Sequence, residues 1–223
     1  MSDSFDPKFV TFDCYGTLTN FQMGSATKRI LGDRLPGDIA EPFLDMFGNY
    51  RLDEVMGSWR PYRDVIAAAY NRACAKFGIE YRDEDATEIY QSIGTWGPHP
   101  DVPAGLAKLA TKVPLVILSN ATDSQIAHNV ALLGAPFHRV LTAEQAQAYK
   151  PRYRAFEYML DTLGVDPTEI VHVSASLRYD LMPAYDLGIT NKVYVNRGYE
   201  FSTPEYGYRE ITTIAELPGL FGL

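Results

Sequence analysis

The sequence has little of what marks several broad classes of protein. It contains only two cysteines, Cys14 and Cys74, which lie far apart without metal-ligand spacing, so neither a disulfide framework nor a zinc site is expected. No apolar run is long enough to cross a membrane, and the N-terminus lacks the basic and apolar segments of a secretion signal. We therefore expect a cytoplasmic protein that does not bind membranes.

Positive charge is also scarce, since 20 Lys and Arg residues stand against 28 Asp and Glu residues and give a net charge of -8. This balance argues against a general nucleic-acid binder, because attraction to phosphates needs a basic surface. The histidines show no ligand spacing, and no metal site is predicted; they are His99, His128, His138 and His172. His172 lies within an apolar, strand-like run, and we expect it to be structural.

Four apolar runs typical of buried strands alternate with helical patterns along most of the chain. The runs are FVTFD (9–13), VPLVILSN (113–120), IVHVS (170–174) and KVYVNR (192–197). The helical patterns are DVPAGLAKLAT, DSQIAHNVALLG, RYRAFEYMLDTLG and LRYDLMPAYDLG, and the last three end on a glycine suited to a helix C-cap. This alternation predicts an α/β fold, with a Rossmann-like parallel sheet core and helices on both of its faces.

The interval from residue 20 to 97 has helical patterns and no strand. Its helical segments are SATKRILGDRL, IAEPFLDMFGNYRLDEVM, YRDVIAAAYNRACAKFG and DEDATEIYQSIGTW. Because this block directly follows the first strand, we interpret it as an inserted all-helical cap domain over the carboxyl ends of the strands. The predicted domains are therefore a core of residues 1–19 and 98–223 and a helical cap of residues 20–97.

Polar residues stand where the predicted strands end. Asp13, Ser119 with Asn120, and Ser174 occupy these positions, and ligands of open α/β sheets bind outside the carboxyl ends of the strands. A buried carboxylate such as Asp13 needs a compensating charge, and the ammonium of Lys150 could provide it. By residue type alone, Asp13 could instead cap a turn, the Ser-Asn pair could form one, and Lys150 could be solvated.

The segments FDCYGTL, LSN, YKP and VSASLRYD together resemble the haloacid dehalogenase superfamily, and more narrowly its 2-haloacid dehalogenase branch. The resemblance covers nearly the whole chain and implies that Asp13 is a nucleophile that forms a covalent ester with the substrate. It further implies that Thr17 donates to Asp13, that Lys150 keeps Asp13 ionised, and that Asp180 activates the water that hydrolyses the ester.

The resemblance also implies a binding site for the substrate carboxylate. Ser119 and nearby main-chain amides hold this group in the dehalogenases, and the residues implied here are Cys14, Tyr15, Ser119 and Asn120. Ser174 is implied as a catalytic residue and Ser176 as a substrate-binding one, both through their hydrogen bonds. The segment departs from the usual pattern, because Ser176 stands where Asn is common and one extra residue precedes Asp180.

Tyr15 stands where the phosphatases of the superfamily have a second aspartate that protonates an alkoxide leaving group. Because a halide departs without a proton, this replacement favours dehalogenation over phosphate-ester hydrolysis. Tyr15 could also simply pack beneath the cap. The dehalogenases carry a cap arginine that receives the halide, and the candidates here are Arg51, Arg60 (after Trp59) and Arg63.

The expected activity is therefore hydrolytic dehalogenation of small (S)-2-haloacids to (R)-2-hydroxy acids, without a metal or other cofactor, in an enzyme that the family suggests is a homodimer. The expected partners are the haloacid and the released halide. The enzymatic alternative is a Mg²⁺-dependent small-molecule phosphatase, although Ser174 stands where an acidic metal ligand is common. A third hypothesis is a catalytically silent protein that uses the cap as a binding surface.

Overall fold

The chain folds into two compact units. The computed structural model describes residues 4–223. One unit, the core unit, comprises the residues up to Asn20 together with Gly97–Leu223, and the other, the helical unit, comprises Phe21–Trp96. The interpretation of the helical unit as a cap stays a prediction.

A parallel sheet forms the centre of the core unit and confirms the predicted Rossmann-like α/β class. Within the described residues it has six strands in the order β3-β2-β1-β4-β5-β6, all parallel. The strands are β1 Phe9–Phe12, β2 Leu115–Ser119, β3 Arg139–Thr142, β4 Ile170–Ser174, β5 Asn191–Val195 and β6 Arg209–Ile211. This order reverses direction between β1 and β4, which is the switch point where such sheets bind ligands.

The helical unit contains four α-helices in the described part of the chain. They are α1 Met23–Leu31, α2 Gly37–Val55, α3 Tyr62–Phe77 and α4 Asp83–Ser92. Tyr70 lies at its centre, with the rings of Phe43 and Phe47 packed edge-on at centroid distances of 6.2 and 6.0 Å. The Tyr70 hydroxyl donates to Asp85, which Arg34 also contacts through both carboxylate oxygens at 2.7 and 2.8 Å.

Helices cover both faces of the sheet. Successive residues of a strand point to opposite faces, so each face presents its own apolar side chains to the helices. The helices of the core unit are α5 Val102–Leu109, α6 Asp123–Ala131, α7 Ala143–Ala146, α8 Tyr153–Leu163 and α9 Met182–Asp186. On one face, Val10 and Phe12 of β1 share a buried cluster with Val102 of α5 and Ile126 of α6. On the other face, buried residues of β2 and β4 pack against α8 and α9.

Two short edge strands were missed in the sequence. β3 and β6 have four and three residues, and both begin with exposed or half-buried polar side chains, so neither reads as an apolar run. Edge strands of this kind need no continuous apolar pattern, because only one side of each is paired.

Helix ends and one helix interior also differ from the expectations. Gly164 is the left-handed C-cap of α8, as predicted, with φ 62°. α9 ends at Asp186 with Leu187 as its C-cap, and the left-handed Gly188 that follows, with φ 75°, is the predicted terminating glycine. α6 ends at Ala131, three residues before Gly134, so the prediction that it closes on glycine was wrong. The segment predicted as one helix from residue 177 is a π-helical turn, Leu177–Leu181, followed by α9. Pro183 has no N–H to donate to the preceding turn, which is consistent with this change of helix type.

No helix within residues 4–223 is both long enough and apolar enough to span a bilayer.

Candidate active site

The candidate site lies at the carboxyl ends of β1, β2 and β4, around the switch point of the sheet. Asp13 directly follows β1, Ser119 ends β2 and Ser174 ends β4. β1 pairs with β4 in a register that places Thr11 opposite His172. Gly16 has φ 100°, a conformation that glycine adopts without strain, so the chain can turn sharply after Asp13, as predicted.

Lys150 lies between two buried carboxylates. Its Nζ donates to Asp13 Oδ1 at 2.9 Å and to Asp180 Oδ1 at 2.7 Å, with a third bond to the Leu118 carbonyl at 2.8 Å. Only 1% of Lys150 is exposed, against 8% of Asp13 and 0% of Asp180. The three donor positions of the ammonium are therefore all used, and burial of the carboxylates is compensated by a cation in direct contact.

Asn120 fixes the backbone of Lys150. Its side-chain Oδ1 accepts from the Lys150 N–H at 2.7 Å, and its Nδ2 donates to the Lys150 carbonyl at 2.8 Å. This pair of bonds anchors the segment before α8 to the end of β2. Asn120 was expected to bind the substrate, and the structure adds these two hydrogen bonds to the Lys150 backbone.

Thr17 connects Asp13 to the segment after β4. Its hydroxyl donates to Asp13 Oδ2 at 2.7 Å and accepts from the Ala175 N–H at 2.8 Å. Each oxygen of Asp13 thus has one donor, Lys150 for Oδ1 and Thr17 for Oδ2. The carboxylate is therefore held in one orientation while keeping further lone pairs on both oxygens.

Only one of the two carboxylate oxygens of Asp180 has hydrogen-bond partners. Its Oδ1 contacts Lys150 Nζ and lies 2.9 Å from Nε2 of His172, whereas its buried Oδ2 has no hydrogen-bond partner. A buried oxygen without a partner is unusual in a native protein. Asp180 belongs to the π-helical turn, a helix type found often at functional sites.

The charges of this trio shift each pKa in a different way. Burial, together with repulsion from Asp180, raises the pKa of Asp13 above its ordinary value, although Lys150 acts in the opposite direction. Burial would also raise the pKa of Asp180, but Lys150 and His172 hold it below its ordinary value. Burial disfavours the charged form of Lys150, yet Asp13 and Asp180 raise its pKa, so the ammonium stays protonated.

The three serines have different surroundings. Ser119 is 1% exposed, and its Oγ has no hydrogen-bond partner. Ser174 Oγ accepts from the Ser176 N–H at 3.0 Å. The Ser176 hydroxyl donates to Glu200 at 2.8 Å and accepts from the Tyr179 N–H at 3.1 Å, where it caps the π-helical turn. Of these hydroxyls, Ser119 is therefore the one left without a protein partner.

Cys14 and Tyr15 follow Asp13 and are placed by contacts within the core unit. Cys14 is buried with its Sγ 3.5 Å from the Thr19 hydroxyl, and burial raises the pKa of its thiol to about 12, so it stays protonated. Tyr15 packs on the apolar cluster beneath the sheet ends and donates its hydroxyl to Asn129 at 2.8 Å. Neither side chain is a carboxylate, so this turn supplies no second acid beside Asp13.

His172 was expected to be structural, and the structure adds a contact with Asp180. The available signal was the two-residue period of strands, since Asp13 and Thr11 share one face of β1 and Ser174 and His172 share the corresponding face of β4. Glu200 was also missed. It accepts from Ser176, Leu177 and Arg178 and so holds the start of the π-helical turn, but it comes from a distant loop with no local signal.

The arginines of the helical unit have different partners within it. Arg60 pairs with Glu54, and the exposed Arg63 lies 3.9 Å from Asp83. Arg51 has its guanidinium carbon 5.3 and 5.2 Å from the ring centroids of Phe21 and Phe47, and its buried Nε has no hydrogen-bond partner. Among the described residues, no carboxylate lies within ion-pair distance of Arg51.

The fold and the buried Asp-Lys-Asp trio define an α/β protein with a candidate active site, and comparison with known proteins gives its class. A family model described as haloacid dehalogenase-like hydrolase matches residues 7–188. The chain therefore belongs to the haloacid dehalogenase-like hydrolase family.

Two curated relatives and one solved structure are also similar to this chain. The chain is 27% identical over 220 residues to (S)-2-haloacid dehalogenase 4A of Burkholderia cepacia, covering 92% of this chain and 91% of that protein. It is 26% identical over 191 residues to an (S)-2-haloacid dehalogenase of Xanthobacter autotrophicus, covering 82% and 73%. The L-2-haloacid dehalogenase structure from Xanthobacter autotrophicus with chloropropionic acid covalently bound superposes with a TM-score of 0.76 at 21% identity, covering 96% and 98%, a likeness of fold.

Proposed function

We propose that this enzyme hydrolyses small (S)-2-haloacids to (R)-2-hydroxy acids through an ester on Asp13, without a metal. The observation that carries the proposal is the contact of Lys150 with both Asp13 and Asp180 in a buried site. The similarity to proteins named (S)-2-haloacid dehalogenase supports the substrate class. The cytoplasmic location and the homodimer stay predictions.

In the first step, a carboxylate oxygen of Asp13 attacks C2 of the haloacid from the side opposite the halogen. The new bond joins this oxygen to C2, the carbon–halogen bond breaks, and the halide leaves with the bonding pair, so C2 is inverted. A carboxylate is a weak nucleophile in water, but fixed orientation and partial desolvation increase its effective reactivity. The bonds from Lys150 and Thr17 support this orientation. The halide departs without a proton, so this step needs no acid at position 15. Tyr15, which stands where the phosphatases have a second aspartate, is therefore compatible with it.

In the second step, water attacks the carboxyl carbon of the Asp13 ester. The bond between that carbon and the hydroxy-acid oxygen breaks, this oxygen receives the proton taken from the water, and the 2-hydroxy acid is released; the remaining proton leaves to solvent, so Asp13 is regenerated as a carboxylate. We assign Asp180 as the group that orients this water and takes its proton. Its partnerless Oδ2 supports the role because it is a free acceptor for the water, and the lowered pKa of Asp180 keeps the carboxylate ionised. Ser174 and Ser176 support the segment that carries Asp180 through their hydrogen bonds.

The substrate carboxylate is assigned to the end of β2 and the turn after β1. Ser119 has a buried hydroxyl without a partner, which a bound carboxylate would satisfy. The main-chain amides of Cys14 and Tyr15 and the side chain of Asn120 complete the proposed set. Asn120 would serve this role in addition to its bonds with Lys150.

We propose that the helical unit is a cap domain and that Arg51 is its halide-binding arginine. Arg60 and Arg63 lie beside carboxylates, whereas Arg51 contacts aromatic rings and the Tyr62 hydroxyl. An anion would add favourable charge interaction at Arg51 without displacing a carboxylate. Arg51→Gln should weaken product inhibition by bromide at least threefold, while Arg63→Gln should leave it unchanged. Equal effects of the two variants would refute the assignment of Arg51.

Single-turnover labelling tests the covalent route. With enzyme in excess over (S)-2-chloropropionate in H₂¹⁸O, the label should enter the Asp13 carboxyl while the product hydroxyl stays unlabelled. Asp13→Asn should form no ester and release no halide, whereas Asp161→Asn, on the exposed face of α8, should behave as wild type. A labelled product with unlabelled Asp13 would mean direct attack by water and would refute the ester.

A substrate panel separates the dehalogenase from the phosphatase alternative. Halide release from (S)-2-chloropropionate and chloroacetate should be unchanged by chelator, and p-nitrophenyl phosphate should be hydrolysed poorly with or without Mg²⁺. Phosphatase activity that needs Mg²⁺, with no halide release, would reverse the assignment. Absence of both activities would support the silent binding protein.

A further inference from the structure

His172 is enclosed in the sheet and contacts a residue of the site. It is 0% exposed, and its ring is packed edge-on against Phe156 of α8 at a centroid distance of 5.5 Å. Its Nε2 lies 2.9 Å from Asp180 Oδ1 and its Nδ1 lies 2.8 Å from the Thr11 hydroxyl. A buried, polar ring with a partner at each nitrogen is held in one orientation.

The partners also assign the hydrogens of this ring. Because Oδ1 of an ionised Asp180 can only accept, His172 Nε2 must carry the hydrogen and donate. Nδ1 lies 2.8 Å from the Thr11 hydroxyl, a shorter contact than the 3.3 Å from that hydroxyl to the Val171 carbonyl, so the Thr11 hydroxyl can donate its hydrogen to Nδ1. Thr11 thus selects the tautomer in which His172 donates to Asp180.

The consequence for Asp180 is a difference between its two oxygens. Oδ1 receives two donors, His172 and Lys150, from different elements, and Oδ2 receives none. Two donors from different directions restrict rotation of the carboxylate, which a single donor would restrict much less. Oδ2 is then the oxygen left to accept from a water.

We infer that His172 is a positioning residue that holds Asp180 with Oδ2 available to the hydrolytic water, and that Thr11 supports it by fixing the imidazole tautomer. The inference rests on the proposed function, and it adds His172 and Thr11 to the residues that support hydrolysis of the Asp13 ester. The hydrogen bonds of His172 go to Thr11 and Asp180 rather than to Asp13, so the step that forms the ester should depend on His172 much less than the step that hydrolyses it.

The test compares His172→Phe, His172→Gln and Thr11→Val, with His128→Gln on the exposed face of α6 as a matched control. His172→Phe keeps a buried aromatic ring without a donor, and the side-chain amide of Gln can replace the Nε2–H. Two rates are measured with (S)-2-chloropropionate: the first-turnover burst of halide and the steady-state kcat. Mass spectrometry of acid-quenched protein then measures the fraction that carries the ester.

The expected result is a loss that falls on ester hydrolysis. His172→Phe should lower kcat at least tenfold, change the burst less than threefold, lower KM, and accumulate ester on Asp13. His172→Gln should recover most of kcat, Thr11→Val should show the same pattern more weakly, and His128→Gln should match wild type. Should His172→Phe fail to fold, Thr11→Val supplies the expected loss and His172→Gln the expected near-wild-type kcat.

Two results would overturn the inference. One is an equal decrease of burst and kcat without accumulated ester in the His172 and Thr11 variants, as expected of a merely structural role. The other is a ¹⁵N spectrum of wild type that shows the ring hydrogen on Nδ1 of His172 rather than on Nε2. Failure of the proposed function looks different, because wild type itself would then release no halide, while the ring spectrum would still report on the His172–Asp180 contact.

Discussion

Lys150 Nζ lies 2.9 Å from Asp13 Oδ1, although 137 positions separate the two residues in the chain. The same ammonium contacts Asp180 at 2.7 Å, so one cation serves two carboxylates and the trio carries one net negative charge when all three groups are ionised. Burial and the neighbouring Asp180 raise the pKa of Asp13, whereas Lys150 and His172 together hold the pKa of Asp180 below its ordinary value despite burial. The two carboxylates thereby differ in their affinity for a proton.

Replacing Lys150 with methionine should abolish most activity. Met keeps an unbranched side chain of similar size but leaves Asp13 and Asp180 as buried like charges, so one of them takes up a proton at neutral pH. We expect halide release to fall at least about 100-fold and the free energy of unfolding to fall by about 3 kcal/mol. Steady-state kinetics and urea unfolding measure the two effects. The exposed Lys108→Met of α5 should change neither, and wild-type kinetics in the Lys150 variant would contradict the role of the ammonium.

The acid side of the pH–activity profile should reflect Asp13. The nucleophile must be ionised, and burial raises its pKa above the ordinary value, so the proton is retained to a higher pH than in an exposed aspartate. The rate of ester formation should therefore decrease as the pH is lowered. The midpoint of this acid limb should lie above the pKa of a free aspartate, about 3.9. The halide burst measured against pH reports this step directly. A limb at or below that value would mean that Lys150 outweighs burial.

Asn120→Ala should separate the positioning role of Asn120 from its proposed contact with substrate. The change removes both side-chain bonds to the backbone of Lys150, which should lower the free energy of unfolding by about 1 to 3 kcal/mol. Misplacement of Lys150 should also lower kcat roughly tenfold. A rise in KM alone, with unchanged kcat and stability, would instead indicate substrate binding. Asn71→Ala, on the exposed face of α3, is the matched control and should be neutral.

Asp85→Asn should destabilise the protein in a pH-dependent way. Arg34 and Tyr70 donate to Asp85. Burial by itself would raise the pKa of Asp85, but these two partners outweigh it and lower the pKa. Because the pKa of Asp85 is lower in the folded than in the unfolded state, its carboxylate contributes fully to stability at pH values above the unfolded-state pKa. This contribution is lost as the pH falls through the folded-state pKa.

The free energy of unfolding should therefore fall by about 2 to 3 kcal/mol at pH 7 in this variant. The difference from wild type should shrink as the pH of the urea titration is lowered through the acid range. Glu88→Gln removes an exposed ion pair with Arg29 of the same unit and should cost less than about 1 kcal/mol. An Asp85→Asn effect as small as this control would contradict the assigned importance of the partly buried Arg34–Asp85 pair.

The sequence predicted the central strands well because they are buried on both sides. The runs FVTFD, VPLVILSN and IVHVS are mostly apolar, and each contains an observed strand. The edge strands β3 and β6 lacked this signal, since their partly exposed residues form no apolar run. The π-helical turn before α9 was likewise read as ordinary helix, because the residue types within one turn do not distinguish the two helix forms.

Local chemistry by itself therefore determined that a carboxylate ends the first strand, that a glycine follows to turn the chain, and that helices and strands alternate toward a parallel sheet. These features depend on residues close in the chain, whose preferences are written in sequence. Only the tertiary structure decided that Lys150 contacts Asp13 and Asp180 together, that Asn120 holds the Lys150 backbone, and that His172 donates to one oxygen of Asp180. Such contacts join residues from different strands and loops, and their distances follow from strand order and register rather than from spacing along the chain.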